Sequence, residues 1–184
     1  GFFGANINDP EFHELLVRWF EYGCFCPVMR LHGYRWPLQP QYGTTGGATC
    51  VSGAPNEVWS YTDQVCEILS DYLRLRERML PYITELMEEA HEKGTPVMRP
   101  LFYDFPEDKE SWNVETEYMF GPKVLVKPIT DADARETDVY LPGGASWTNA
   151  WTGETFEGGQ KVHVAAPIEQ IPLFTRDGYK LPMK

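Results

Sequence analysis

The chain has 184 residues, 42% of them hydrophobic, 14% aromatic and 23% charged, which suits a globular protein with one large core or two small ones. A formal net charge of -11, with no Lys/Arg cluster, makes nucleic acid and anionic membrane surfaces poor candidate partners. No apolar run approaches bilayer-spanning length.

The opening Gly1-Phe2-Phe3-Gly4 has no initiator Met, basic start or secretory apolar segment, and it reads as the interior of a longer sequence. Compartment is left open. The two Phe allow core packing or an aromatic platform on a strand end. A strand end is expected there, followed by a helix. Asn8 or Asp9 can cap its first amides, Pro10 suits the first helical position, and Glu11 complements the dipole. Phe12, Leu15, Leu16 and Trp19 recur at i, i+3, i+4 and i+7 and predict one buried stripe. Gly23 is the expected stop. The apolar run Cys24–Met29 then predicts a strand covered on both faces, with Cys24 and Cys26 pointing to one side.

Four cysteines, at 24, 26, 50 and 66, fit neither a zinc site nor a redox pair. Buried reduced thiols are expected, with a disulfide as the other reading.

Residues 33–56 form a polar, Gly-rich connection too long to be routine. The strongest helical pattern follows. Val65, Ile68, Leu69, Tyr72 and Leu75 make one stripe, and Ile83, Leu86, Met87 and Ala90 continue it beyond Pro81, where a kink or break is expected. Glu67, Asp71 and Glu77 with Arg74, Arg76 and Arg78 read as a solvated charged face. Gly94 is the stop signal.

From Thr95 the period changes to two. Asp138–Leu141 and Lys161–Val164 alternate, and Pro142-Gly143-Gly144, Thr152-Gly153-Glu154 and Gly158-Gly159 supply turns, the pattern of an antiparallel sandwich. Trp147 and Trp151 share one strand face, for a sandwich core or a carbohydrate-binding strip. The expected fold class is α/β plus all-β, with a boundary near residue 94.

Chemistry concentrates in Met29-Arg30-Leu31-His32-Gly33-Tyr34-Arg35-Trp36, read as the mouth after the buried strand, where parallel α/β barrels carry their sites. Imidazole can donate one hydrogen bond and accept another, which suits a pair of sugar hydroxyls, and aromatic rings suit the C–H face of a pyranose. A structural Arg paired with a helix carboxylate is the alternative for Arg30. His13 and His91 read as solvated and His163 as structural. No Ser-His-Asp order, phosphate loop or metal-ligand spacing is present, and neither metal nor cofactor is implied.

The whole string resembles glycoside hydrolase family 31. Gly1-Phe2 resembles the end of that family's Asp-Ile-Gly-Gly-Phe motif, and Arg30-Leu31-His32-Gly33 resembles its Arg-x-His motif. Arg18–Phe25, Arg76–Tyr82, Gly94–Pro100, Tyr118–Gly121 and Ile171–Gly178 also resemble family segments. The resemblance implies the last two strand-helix units of a (β/α)8 TIM barrel over residues 1–94 and an antiparallel β-sandwich over 95–184. It implies substrate-binding roles for His32 and Phe2, with Arg30 bracing the strand end beside them. Family members are retaining hydrolases with an Asp nucleophile and an Asp acid/base. Both precede the Asp-Ile-Gly-Gly-Phe motif, so this chain is expected to contain no catalytic residue and to be inactive alone. Its expected partners are an oligosaccharide and the remainder of the barrel. Tyr34-Arg35 after Arg30–Gly33 is similar to the α-xylosidase branch, which removes xylose from xyloglucan fragments. An α-glucosidase is the alternative, and a non-catalytic sugar-binding or structural module is the reading if the chain is complete.

Overall fold

The computed structural model describes residues 2–183, with positions 2, 3, 47 and 48 described by backbone alone. Its first half is a strand-helix-strand unit. Strand β1 (Phe2–Asn6) leads to helix α1 (Pro10–Cys24), whose cap Asp9 accepts the Glu11 N–H at 3.0 Å. Pro10 opens the helix because its missing N–H would have had no partner there. Strand β2 (Gly33–Trp36) returns parallel to β1, with Phe2 opposite Gly33 and Phe3 opposite Tyr34.

Three expectations fail in this unit. Helix α1 runs past Gly23, and its buried line is Phe12, Leu16, Val17, Phe20 and Cys24, whereas Leu15 and Trp19 are about half exposed. The stripe is rotated because Arg18 and Glu21 take part of the inner face as a bonded pair at 3.0 Å. Phe25–Val28 is a turn followed by bends, and the strand begins at Gly33. An apolar run this short is ambiguous: here only Cys24 and Phe25 are fully buried, while Val28 is exposed. The connection after β2 is therefore shorter than expected, and an isolated bridge between Gln39 and Ser52 pinches it.

Helices α2 (Asp63–Arg78) and α3 (Leu80–Lys93) break at Met79, one residue before the turn that holds Pro81. Every member of the Val65-Ile68-Leu69-Tyr72-Leu75 stripe is buried, as are Ile83 and Leu86. Gly94 ends α3 at φ 72°, a left-handed cap that its missing Cβ permits. No helix among the described residues is long and apolar enough to cross a membrane.

The second half is built on a six-stranded antiparallel sheet. Strands β3 (Met98–Arg99), β4 (Tyr118–Phe120), β5 (Val124–Val126), β7 (Ser146–Asn149), β8 (Thr155–Glu157) and β10 (Leu173–Arg176) lie in the order β3-β4-β5-β10-β7-β8. The pair β6 (Glu136–Leu141) and β9 (Gln160–Ala165), the alternating segments of the sequence, covers one face. A short helix α4 (Leu101–Asp104) follows β3. Successive side chains point to opposite faces, so Met119, Leu125 and Phe174 join Trp147, Val139 and Leu141 in the sandwich core. Their neighbours Phe120, Val124, Val126 and Leu173 instead join the core of α1, α2 and α3. Trp147 is fully buried in the sandwich, its Nε1 donating to the Pro142 carbonyl at 2.9 Å. Trp151 lies past the end of β7 and packs on the other core, so the two indoles do not form one strip.

Candidate functional site

Parallel pairing of β1 and β2 places the backbone of Phe2 opposite Gly33, next to His32. The Phe2 side chain lies outside what the structure describes. His32 is exposed, and together with Arg30, Leu31, Trp19, Tyr22 and Ala5 it lines a hollow of about 540 Å3. That is within the usual range for a small-molecule site. A hollow of about 600 Å3 between α2 and Glu169–Gln170 is lined by Trp151 and by part of the α2 charged face, but by neither His32 nor Arg30.

His32 precedes a strand rather than following one, contrary to the strand-end expectation. Within β2 the alternation separates its neighbours. Arg35 is 2% exposed and donates from Nη2 to the Ala54 carbonyl at 3.0 Å, so it faces away from solvent. Tyr34 and Trp36 form an edge-on ring pair with centroids 6.4 Å apart. Trp19 meets Tyr22 in the same edge-on way at 5.8 Å, giving the hollow an aromatic wall, although Trp19 is expected from the sequence in the core. None of the lining residues is a carboxylate.

Arg30 lines the hollow, and among the described residues it makes no hydrogen bond or ion pair. The cation bonded to the backbone before Arg30 is Arg76. Its Nη1 lies 3.4, 2.7 and 2.9 Å from the carbonyls of Gly23, Cys24 and Cys26, and its Nη2 lies 3.1 Å from that of Pro27. This overturns its reading as part of a solvated face. Arg74, paired with exposed Asp71, fits that reading.

The cysteines are all free thiols. Cys24 is buried and donates to the Tyr72 carbonyl at 3.3 Å, and burial pushes its pKa up to about 12. Cys50, by contrast, is exposed. His13 is not simply solvated: its Nε2 lies 2.6 Å from the Ile7 carbonyl and its ring meets Tyr61 edge-on. His163 stands exposed on β9 between Asp138 and Glu136, and both carboxylates push its pKa up. Among the described residues no group of three or more His, Cys, Asp or Glu could hold a metal ion.

Residues 1–86 match the Glycosyl hydrolases family 31 TIM-barrel domain, and residues 94–181 match the Glycosyl hydrolase family 31 C-terminal domain. The chain belongs to glycoside hydrolase family 31. An α-xylosidase of Saccharolobus solfataricus is 36% identical over the whole of this chain and 23% of its own length. Alpha-glucosidase 2 of Bacillus thermoamyloliquefaciens is also 36% identical, over 97% of this chain and 20% of its own length. The family 31 chain thus spans about a fifth of the curated relatives it matches. The crystal structure of a family 31 α-xylosidase from a soil metagenome, complexed with xylose, superposes with a TM-score of 0.92 at 47% identity, over 98% of this chain and 27% of that one. An α-xylosidase structure from Xanthomonas citri gives 0.79 at 37%, over 92% and 17%. The architecture is accordingly a TIM-barrel fragment followed by the family's C-terminal domain with its antiparallel sandwich.

Proposed function

We propose that this chain is part of a retaining α-glycoside hydrolase, an α-xylosidase acting on xyloglucan-type oligosaccharides. Residues 1–94 belong to its catalytic barrel and 95–184 to the β-sandwich. In this reading His32 hydrogen-bonds the hydroxyls of the sugar at the cleavage site, Phe2 stacks on its C–H face, and Arg30 lies beside them. The carrying observation is the parallel register that sets the Phe2 backbone opposite Gly33, with His32 in the wall of an open hollow. An imidazole there can donate to one hydroxyl and accept from the next.

Retention requires two carboxyl groups roughly 5 Å apart. A wall without a carboxylate around His32 supports placing the nucleophile and the acid/base outside these residues, so that the chain alone turns nothing over. Purified chain incubated with p-nitrophenyl α-xyloside should release no nitrophenol, and measurable turnover would refute this. In the complete enzyme, His32→Ala should lower kcat/KM by about 2–4 kcal/mol of transition-state stabilisation. An unchanged value would remove His32 from the site.

The second reading is an α-glucosidase, favoured by the 36% identity to the Bacillus relative. The 47% identity to an α-xylosidase solved with xylose supports the first. Comparing kcat/KM for α-xyloside and α-glucoside substrates separates the two.

A further inference from the structure

We infer that Arg76, on the last turn of α2, is a positioning residue for His32. The inference rests on the reading that His32 binds the sugar. The segment from the end of α1 to His32 has no strand alongside it among the described residues, so its carbonyls lack ladder partners. Those of Cys24 to Pro27 are nevertheless satisfied by side chains, and the Gly23 carbonyl, which accepts the Cys26 N–H at 3.1 Å, takes a side-chain donor as well. Arg76 takes those of Gly23, Cys24, Cys26 and Pro27. Tyr118 of β4 donates to the remaining one, that of Phe25, at 3.0 Å.

Two further contacts fold the segment back on itself. Phe25 is fully buried against Phe120, with ring centroids 6.2 Å apart. The Met29 side chain lies against the Cα of Gly23, where an added Cβ would touch it at 3.4 Å. The chain therefore leaves α1 along a path fixed at each step as far as Pro27, and reaches His32 five residues later. A guanidinium is suited to this task, because its planar fork is always charged and addresses several acceptors from one anchor. Two of those acceptors are last-turn carbonyls of α1, where a cation complements the helix dipole. Lysine offers a single point of charge and cannot reproduce the fork.

The test is a double-mutant cycle in the complete enzyme, with Arg76→Lys, His32→Ala and the pair, read as kcat, KM and Tm. Arg76→Lys should lower kcat/KM about tenfold when His32 is present and less than twofold when it is absent, with similar Tm shifts in both backgrounds. A brace that acts only on overall stability would give equal losses in both, and that result overturns the inference. If Arg76→Lys leaves kcat/KM unchanged while His32→Ala lowers it, Arg76 is not a positioning residue but the role of His32 stands. If His32→Ala itself has no effect, the underlying reading falls and the inference with it. Should Arg76→Lys not fold, Arg76→Gln carries the same cycle. Failure of both to fold makes Arg76 a support of the whole unit and overturns the positioning role.

Discussion

Glu21 shows how a single buried carboxyl can be accommodated. Its Oε2 lies 3.0 Å from Arg18, and its Oε1 lies 3.1 Å from the Tyr72 hydroxyl, which itself sits 3.2 Å from the Glu169 carbonyl and accepts the Ile171 N–H at 3.0 Å. One phenol proton cannot serve both a carboxylate and a carbonyl. With Glu21 protonated, its own hydrogen goes to Tyr72 and the phenol hydrogen to Glu169, and every group is served. Burial pushes the Glu21 pKa up to about 8 in spite of the neighbouring guanidinium. A folded-state pKa above the unfolded one means that the folded protein holds the proton longer. The stabilisation is complete below the ordinary carboxyl range and is lost as pH rises towards 8, at up to about 1.4 kcal/mol per pH unit. Urea midpoints from pH 5 to 9 should therefore fall for the wild type and stay flatter for Glu21→Gln. Parallel curves would contradict the assignment.

At the scale of elements, a close junction lies between α3 and the β4–β5 turn. Gly121 has φ 60°, and a Cβ there would collide with the Tyr82 hydroxyl and the Leu86 methyls. Both of those side chains come from α3, and the Tyr82 hydroxyl also donates to the Phe120 carbonyl at 2.9 Å. Gly121→Ala should cost about 2–4 kcal/mol by chemical denaturation, combining backbone strain with overpacking. A loss under 1 kcal/mol would show that α3 can retreat. This junction was not visible in the sequence, where Gly121 is one turn residue among many. The helices were visible because Val65–Leu75 keeps its period over a long stretch, and β6 and β9 because alternation with flanking turns admits few alternatives. Cys24–Met29 misled because a short apolar run does not reveal whether one side chain is buried or all of them. Of the candidate site, a motif marked His32 and Arg30, which line one hollow. The contacts of Arg76 were not legible, because it sits among charged residues on a helix, and only coordinates bring it to carbonyls some fifty positions away.

At the scale of the molecule, the two halves of the chain share one core. Residues of α1, α2 and α3 pack directly on Phe120, Val124, Val126 and Leu173 of the sheet. Arg18 reaches across as well, donating to the carbonyls of Ala134, Ala166, Pro167 and Gln170 at 2.8–3.3 Å. Calorimetry of the chain should therefore give one cooperative transition rather than two. Arg18→Ala should lower stability by about 3–5 kcal/mol, because four carbonyls lose their donor together. Two resolved transitions in the wild type would show that the halves melt independently.

The middle strands of the C-terminal sheet, β4, β5 and β10, are dry on both sides, which constrains how this region can change over evolutionary time. Deleting a single residue within β4, β5 or β10 would send each side chain beyond it into the opposite compartment, and water-facing space is not there to absorb the error. Phe120 and Met119 would in effect have to exchange surroundings of different shape. Length variation among natural relatives should accordingly fall outside these three strands, in the connections that join them.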